Sequence, residues 1–512
     1  MTPLTEQASR GSSRPRDAFA RSSDGDTMED ADQSAIALDP LLEAARKAGR
    51  AWGRLSFAER RSRLLAFRDL LVDHLEGIVE AAQRDVDKPA FDVTSEVLNV
   101  ADLIGYYAKR GGQLLRPRRR SSGLLLNKRA ELHYEPCGVV GVISPWNYPL
   151  VLSIGTIIPA LVAGNAVLLK PSERVPTTNL LLEELLAESD LGAPLVKYLH
   201  GGPDAALSLA ESSVDKIVYI GGTVGGRAVL RATAERLTPT VLELGGNDAM
   251  IVAEDADIER AAAAAVWGSF FNAGQSCIAV ERCYAHASII DRFVERVVER
   301  TERLRQGYAV VHDGQEDQRD LGPVISTSQG ERIRELLDDA VAKGAVIRCG
   351  GVPDAIDARL FPPTVITNVD HTMRLTREEV FGPLLPIMSY ESDGQAIDLA
   401  NDSPFGLSAS VWSSNQARAR RIAADLDVGG VVINDNLVHF AFADLPFGGV
   451  KESGFGRLHG REGLMEFCRT KSVVTHRFGP RMELQWFPVR GKIRLLRRLS
   501  RLLYRSGWSR FR

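Results

Sequence analysis

From residue 137 to 246 the chain alternates short β-rich runs with helical segments: "CGVVGVISP", "AVLLKPS", "VKYLHGG", "DKIVYIGG" and "TVLELGG". Parallel strands cannot be joined by tight turns and need a crossover, so this alternation closes into a parallel sheet with helices on both faces. Ligands of such sheets sit beyond the carboxyl ends of the strands. The residues that follow each apolar run are therefore the ones to examine. Residues 246–445 continue the β/α alternation as a second α/β domain, and no internal repeat is visible. A chain of 512 residues is too long for one core and should divide into two or three domains.

Ahead of the sheet, residues 36–88 read as helices, with Leu64, Leu65, Leu71, Leu75, Ile78 and Val79 on one stripe, and a further helix is expected at about 94–115. The basic cluster "RPRRR" (116–120) lies beside an alternating, strand-like stretch and reads as a solvated face, not a nucleic-acid patch. The net charge of −3 gives no global pull toward nucleic acid. Five scattered cysteines with no CxxC spacing point to free thiols in a reducing cytoplasm. The nine histidines show no paired ligand spacing, so no metal site is expected. No apolar run reaches 18 residues.

The two ends depart from the average. Residues 1–35 are rich in Ser, Asp, Arg and Gly and are expected to stay disordered. From residue 490 onward there are nine Lys and Arg and no acid, so a basic tail follows an acidic body. At 100° per residue Leu495, Leu496, Leu499, Leu502 and Leu503 share one helix face, and Arg494, Arg497, Arg498, Arg501 and Arg505 share the opposite one. Such a helix suits an anionic membrane surface, and equally the protein's own acidic body or a partner subunit.

Five segments carry chemistry, four of them at strand ends. In "DKIVYIGGTVGG" a β run ends in Gly221 and Gly222, and a helix begins near Thr223 with Gly226 along its first turn. Glycines there let a phosphate-bearing cofactor approach the backbone, and the helix N-terminus favours its charge, although a tight turn alone explains the pattern as well. Lys170 and Glu173 follow "AVLLKPSE"; a carboxylate there can accept from ribose hydroxyls and repels a 2′-phosphate, favouring NAD over NADP. Asn147 in "VISPWNYP" is held among Pro145, Trp146 and Pro149, a stiff frame for an amide that could form half of an oxyanion hole. Glu243 ends an apolar strand, where partial burial would raise its pKa toward that of a base. Cys277 sits in "FFNAGQSCIAV" among small neighbours. Free cysteines most often serve as small buried hydrophobes, and this stretch by itself does not overturn that.

Taken in order, "PWNYP", "GNAVLLKPSE", "GGTVGG", "LELGG", "FNAGQSCIA", "EEVFGPLLP", "NDSPFGLSASVW" and "PFGGVKESGFGR" resemble the aldehyde dehydrogenase superfamily over about residues 40–480. The resemblance implies an α/β fold with a Rossmann-type cofactor domain (36–117 and 138–245), a second α/β catalytic domain (246–447) and a return segment (448–468). It also implies a small β oligomerisation arm (118–137 and 469–479), with the basic amphipathic tail (488–512) beyond it. Cys277 is then the nucleophile, Glu243 the base that activates water, and Asn147 with the Cys277 backbone NH the oxyanion hole. Implied NAD contacts are Trp146, Lys170, Glu173, Gly221, Gly222, Thr223, Gly226, Gly245, Glu379 and Phe381. Phe447 and Phe271 line the substrate pocket, and Asn434 supports the catalytic loop.

Two positions depart from the family pattern: Asn247 stands where Lys is frequent, and Gly222 where Ser is frequent. The implied reaction is NAD-dependent oxidation of an aldehyde to a carboxylic acid through a thiohemiacetal and a thioester. Medium- or long-chain aliphatic aldehydes suit Phe270, Phe271 and Phe447. The alternatives are succinic semialdehyde as substrate, a CoA-acylating dehydrogenase, which the presence of Glu243 disfavours, and an inactive scaffold, which the intact Cys277, Glu243 and Asn147 disfavour. A homodimer or homotetramer is expected, in the cytoplasm, peripheral to the inner face of the membrane if the tail binds lipid.

Overall fold

The computed structural model describes residues 38–309, 317–351, 357–479 and 481–504. The expected disordered stretch 1–35 and Arg505 lie outside them. Four helices come first: α1 (Leu38–Arg54), α2 (Phe57–Asp73), α3 (Leu75–Val86) and α4 (Ala90–Leu114). The stripe expected from Leu64 to Val79 is broken at His74, which closes α2 and precedes α3. Ser56 and Glu59 form a reciprocal capping box at the start of α2.

Strands β1 (Arg118–Arg120) and β2 (Lys128–Pro136) come next and belong to a small sheet. The first large sheet takes β3 (Val139–Ile143), β4 (Ala166–Lys170), β5 (Val196–Tyr198), β6 (Lys216–Ile220) and β7 (Thr240–Glu243), all parallel. Its crossovers are α5 (Pro149–Ala163), α6 (Pro176–Glu188), α7 (Pro203–Glu211) and α8 (Thr223–Ala234). Both faces of this sheet are covered, which is why β3, β4 and β6 are buried throughout and apolar except for Lys170 at the end of β4 and Lys216 at the start of β6.

The second large sheet runs from β8 (Asp248–Val252) and β9 (Val280–His286), joined by α9 (Ile258–Phe270), through β10 (Val346–Cys349), β11 (Thr364–Thr367) and β12 (Leu384–Tyr390). Phe405–Gly406 (β13) lies outside it; Ser408–Trp412 (β14) and Gly430–Ile433 (β15) complete the order β10-β11-β12-β9-β8-β14-β15. Only β10 is antiparallel to its neighbour. Val450–Lys451 (β16) pairs with β13. Gly454–Phe455 (β17) returns to the first sheet and runs antiparallel to β7, with Gly454 opposite Glu243. The second sheet has its own core, with Tyr284, Phe293, Phe361 and Trp412 fully buried.

The chain divides by contact into two units. One comprises residues up to 115 and 135–469 and holds both large sheets; the other comprises 116–134 and 470–512. The second unit carries β1, most of β2 and most of β18 (Cys468–His476), in the order β1-β2-β18. The expected cofactor and catalytic domains are not separated by contact: both fall in the first unit, one large sheet in each. Residues 118–134 and 470–479 of the expected arm fall in one unit with the described part of the tail, whereas 135–137 and 469 fall with the large sheets. Within its unit the "RPRRR" stretch supplies an edge strand whose three arginines are exposed.

Candidate active site

Asn147 lies in the turn between β3 and α5, Glu243 is the last residue of β7, and Cys277 follows the short turn Phe271–Gly274 between α9 and β9. All three line one cavity of about 540 Å³. Two of them come from strand ends of the first sheet and the third from the second sheet, so neither sheet alone makes the site.

The turn before Cys277 is held against its local preference. Asn272 and Ala273 have φ of +54° and Gly274 +71°, the left-handed region that costs a non-glycine residue about 1–2 kcal/mol. Side chains lock it there. The Asn272 amide donates to the carbonyls of Asn147 (3.1 Å) and Gln275 (3.2 Å). Gln275 Nε2 donates back to the Asn272 carbonyl, and its Oε1 accepts from the Ile325 amide. Asn147 Nδ2 donates to the Gln275 carbonyl at 3.1 Å. That bond fixes the direction of the Asn147 amide, beyond the stiffness that the flanking prolines supply, and leaves its second N–H for a ligand. Gly246 is required for packing: a Cβ there would stand 2.0 Å from the Cys277 carbonyl oxygen.

A buried ion pair supports the same corner. Lys88 Nζ donates to Glu96 at 2.6 Å and to the Asn147 carbonyl at 2.7 Å, and lies 3.9 Å from the Tyr148 ring centroid. The other Glu96 oxygen accepts the Leu150 and Val151 amides, the otherwise orphaned first N–H groups of the fully buried α5. Asp92 sits one helical turn before Glu96, beside the Asn272 amide, and burial pushes its pKa up to about 7. Removing one partner leaves the other charged and unpaired, so Lys88→Ala is expected to cost about 3–5 kcal/mol. A denaturant titration of the variant checks it; a loss within error of zero would contradict a supporting role.

The two reactive groups are both biased toward their protonated forms. Burial pushes the Cys277 thiol well up, and Glu379, Asp248 and Glu243 add to it. Its own backbone hydrogen bond opposes this rise without overcoming it, so the thiol needs a proton acceptor before it can act as a nucleophile. Burial likewise raises Glu243 well above the usual carboxylate range, opposed by Arg457 and the Gly449 backbone. Both Glu243 oxygens are buried without a hydrogen-bond partner, which leaves them free to take a proton.

The wall beside Cys277 is apolar. Ile278, Leu407 and Phe447 form a buried cluster against which Cys277, Leu437 and Phe440 pack. His439 lies tilted against Phe447 and His459 meets Phe440 edge-on (ring centroids 5.4 and 4.7 Å apart). Burial lowers each imidazole to about 4, so both are neutral at neutral pH and extend the apolar wall. Sequence alone missed Leu407, Leu437, Phe440 and the two histidines, because nothing local marks a residue that reaches the wall from a distant segment.

Trp146, Lys170, Glu173, Gly221, Gly222, Gly245, Glu379, Phe381 and Phe447 line the same cavity. Lys170 and Glu173 are bonded to each other at 2.7 Å, with Lys170 nearly inaccessible and Glu173 part-exposed. Helix α8 begins with no side-chain cap on its N-terminus, and Gly221, Gly222 and Gly225 line the cavity there. The free first-turn amides of α8 and the open space at Gly222 fit a dinucleotide pyrophosphate, whereas the missing Cβ atoms of Gly221 and Gly225 make room for Tyr219.

Three expected contacts are corrected. Thr223 does not line the cavity, whereas Val224 and Gly225 do. Gly226 is buried and serves helix–sheet packing, since a Cβ would stand 2.6 Å from Leu244. Phe271 packs between Tyr148 and Trp267 instead of lining the pocket, and Phe270 is in the core of the second sheet. Asn434 bonds Ser413 through both its amide oxygen and nitrogen, joining the ends of β14 and β15.

Asn247, the first departure, has a definite place. Its Nδ2 donates to Glu281 at 2.9 Å, and the Glu281 carboxylate accepts the Val380 and Phe381 amides. Asn247 therefore steadies the loop that carries Glu379 and Phe381. Glu379 in turn accepts the Gly246 amide at 2.9 Å. Gly222 leaves open space where a side chain would project. Among the described residues no group of His, Cys, Asp and Glu is arranged to hold a metal ion.

The geometry meets an independent measure in known proteins. The model of the aldehyde dehydrogenase family matches residues 16–473. The chain is 40% identical to a 4,4'-diapolycopene aldehyde oxidase of Methylomonas sp over 87% of its own length and 83% of that protein. It is 36% identical to a putative NADP(+) succinate-semialdehyde dehydrogenase of Mycolicibacterium smegmatis, over 85% of this chain and 83% of that one. Among solved structures, betaine aldehyde dehydrogenase of Staphylococcus aureus in complex with NAD+ superposes with a TM-score of 0.80 at 33% identity, covering 87% of this chain and 88% of that one. The chain is an oxidoreductase that belongs to the aldehyde dehydrogenase family.

Proposed function

We propose that the chain oxidises apolar aldehydes to carboxylic acids with NAD, through a covalent intermediate on Cys277. The observation that carries this is the convergence of Cys277, Glu243 and Asn147 on one cavity whose wall beside the sulfur is aliphatic and aromatic. Glu243 or a water takes the thiol proton, and Sγ forms a bond to the carbonyl carbon. The free N–H of Asn147 and the Cys277 backbone N–H hold the oxyanion, each contributing on the order of 10²–10³ in rate. When bound, NAD accepts the hydride that leaves the carbon, and a thioester remains on Cys277. Glu243 then takes a proton from water as it attacks the thioester, and the acid departs while the thiolate is regenerated.

Trp146, the 221–225 turn, Gly245, Glu379 and Phe381 would hold the dinucleotide, with Lys170 and Glu173 at its adenosine ribose. The Glu173 carboxylate there disfavours a 2′-phosphate, although the mycobacterial relative is named for NADP. The first large sheet serves the cofactor and the second the nucleophile. In the small unit β1 and β18 are both edge strands, which supports pairing between copies into a dimer or tetramer.

A chain-length preference fits the wall. The cavity's cations, Lys170, Arg174 and Arg332, lie beside Glu173 or Glu379 on the cofactor side and not in the apolar cluster at Cys277. Among the described residues, a distal carboxylate therefore meets no cation of the cavity lining there. The test is NADH formation across aliphatic aldehydes of increasing length and succinic semialdehyde, with NAD and with NADP. The expected kcat/KM rises by a few-fold per added methylene, at about 0.8 kcal/mol each, and is higher with NAD than with NADP. A preference for succinic semialdehyde would overturn the substrate reading, and turnover that requires added CoA would overturn the hydrolytic step.

A further inference from the structure

The unit formed by residues 116–134 and 470–512 takes no part in the cavity, and its charge is unlike the rest of the chain. It holds 18 of the chain's 63 Lys and Arg but only 2 of its 66 Asp and Glu, in a protein whose net charge is −3. Both acids are already engaged: Glu131 pairs with Arg129 at 2.6 Å, and Glu483 with Lys128. The unit has no other Asp or Glu. Arg119, Arg120, Lys128, Arg129 and Arg477 also gather around a shallow cavity of about 230 Å³.

Apolar side chains of the same unit face outward. The C-terminal helix Lys492–Tyr504 has no buried residue. Ile493, Leu495, Leu496 and Leu502 are exposed on it, Leu502 by 64%. Lys492 Nζ ties its first turn back to the Trp486 carbonyl at 2.7 Å, so the helix begins at a fixed point just after exposed Trp486, Phe487 and Val489. The turn between β1 and β2 exposes Leu124, Leu125 and Leu126, the last by 74%, although backbone bonds from Leu125 to Ser122 and from Lys128 to Leu125 order it. At 13 residues and about 20 Å the helix is too short to span a bilayer.

We infer that this unit is a docking surface for an anionic lipid membrane, with the helix lying in the plane of the interface. Leucines on one face and arginines on the other satisfy the two halves of such an interface at once, the apolar side chains entering between headgroups and the guanidiniums pairing with phosphates. Nucleic acid would match the arginines and leave the leucines in water. A second copy of the helix would set arginines against arginines. An anionic lipid surface matches both features.

The experiment is co-sedimentation of the full chain with phosphatidylcholine vesicles and with mixed phosphatidylglycerol–phosphatidylcholine vesicles. Binding is expected only where phosphatidylglycerol is present, and is expected to weaken as salt is raised. Leu495→Ser/Leu496→Ser/Leu502→Ser should lower the partition coefficient about tenfold or more while turnover of a water-soluble aldehyde stays unchanged. Leu124→Ser/Leu126→Ser should lower it further. Equal pelleting of wild type and triple-leucine variant overturns the inference. So does a fall in oligomeric size of that variant without vesicle binding by the wild type, which would assign the leucines to a second copy. Binding to duplex DNA that displaces vesicles and ignores the leucine changes would assign the arginines to nucleic acid and overturn it as well.

Discussion

Replacement of Cys277 by Ser is expected to lower kcat/KM for any aldehyde by more than ~10³-fold with dinucleotide binding retained, since the variant keeps the cofactor-side residues and loses only the attacking atom. A serine hydroxyl in the same place is a far weaker acid than a thiol. The surroundings already oppose an anion at residue 277, through burial and the carboxyls of Glu379, Asp248 and Glu243. A thiol can still give up its proton as it attacks; a hydroxyl under the same penalty cannot compete. Intact-mass measurement after mixing with aldehyde and NAD adds a second readout, an acyl adduct on the wild type and none on Cys277→Ser. Wild-type velocity in the variant would remove the covalent route altogether.

Glu243→Gln is expected to separate the two halves of the reaction. NADH forms in a single burst close to one per site, after which turnover is slower by ~10²–10⁴ because water is no longer deprotonated as it attacks the thioester. The pH dependence has a definite sign. Burial holds Glu243 well above the ordinary carboxylate range, so it becomes available as a base only at a higher pH than a solvated carboxylate would. Raising the pH ionises it, and the deacylation rate of the wild type rises accordingly. In Glu243→Gln that rise disappears. A variant with unchanged steady-state rate and an unchanged pH limb would show that another group serves as base. Loss of the burst together with the steady state would place Glu243 at thiol activation instead.

The chemistry-bearing positions were legible because they follow short, uniformly apolar strands. Asn147, Lys170, Gly221 and Glu243 each stand at or just beyond such a run, and a parallel sheet gathers all strand ends at one edge. Cys277 was legible only through the ordered motifs around it, since a cysteine among small residues is otherwise a packing residue. The support beneath them was not legible. Lys88 and Glu96 precede the first large sheet by half a hundred residues, and in sequence they are an ordinary lysine and a helical glutamate. Only when α4 packs against α5 does Glu96 reach the first amides of α5, and Lys88 the carbonyl of Asn147. Asn247 is similar: it reads as a deviation from pattern, and its bond to Glu281 exists only because β8 and β9 pair side by side.

Period and punctuation along the chain determined the α/β class, the sequence of strands and helices, and which strand ends would face a ligand, because burial on both faces of a parallel sheet demands apolar runs that are visible one residue at a time. The tertiary structure alone decided which phenylalanine meets the cavity. Phe270, Phe271 and Phe447 have the same side chain, yet the first enters the second core, the second stacks on Tyr148 and Trp267, and the third closes on Cys277. The direction of a side chain beyond a regular element depends on turns such as 271–274, whose left-handed backbone is imposed by distant hydrogen bonds and not by local preference.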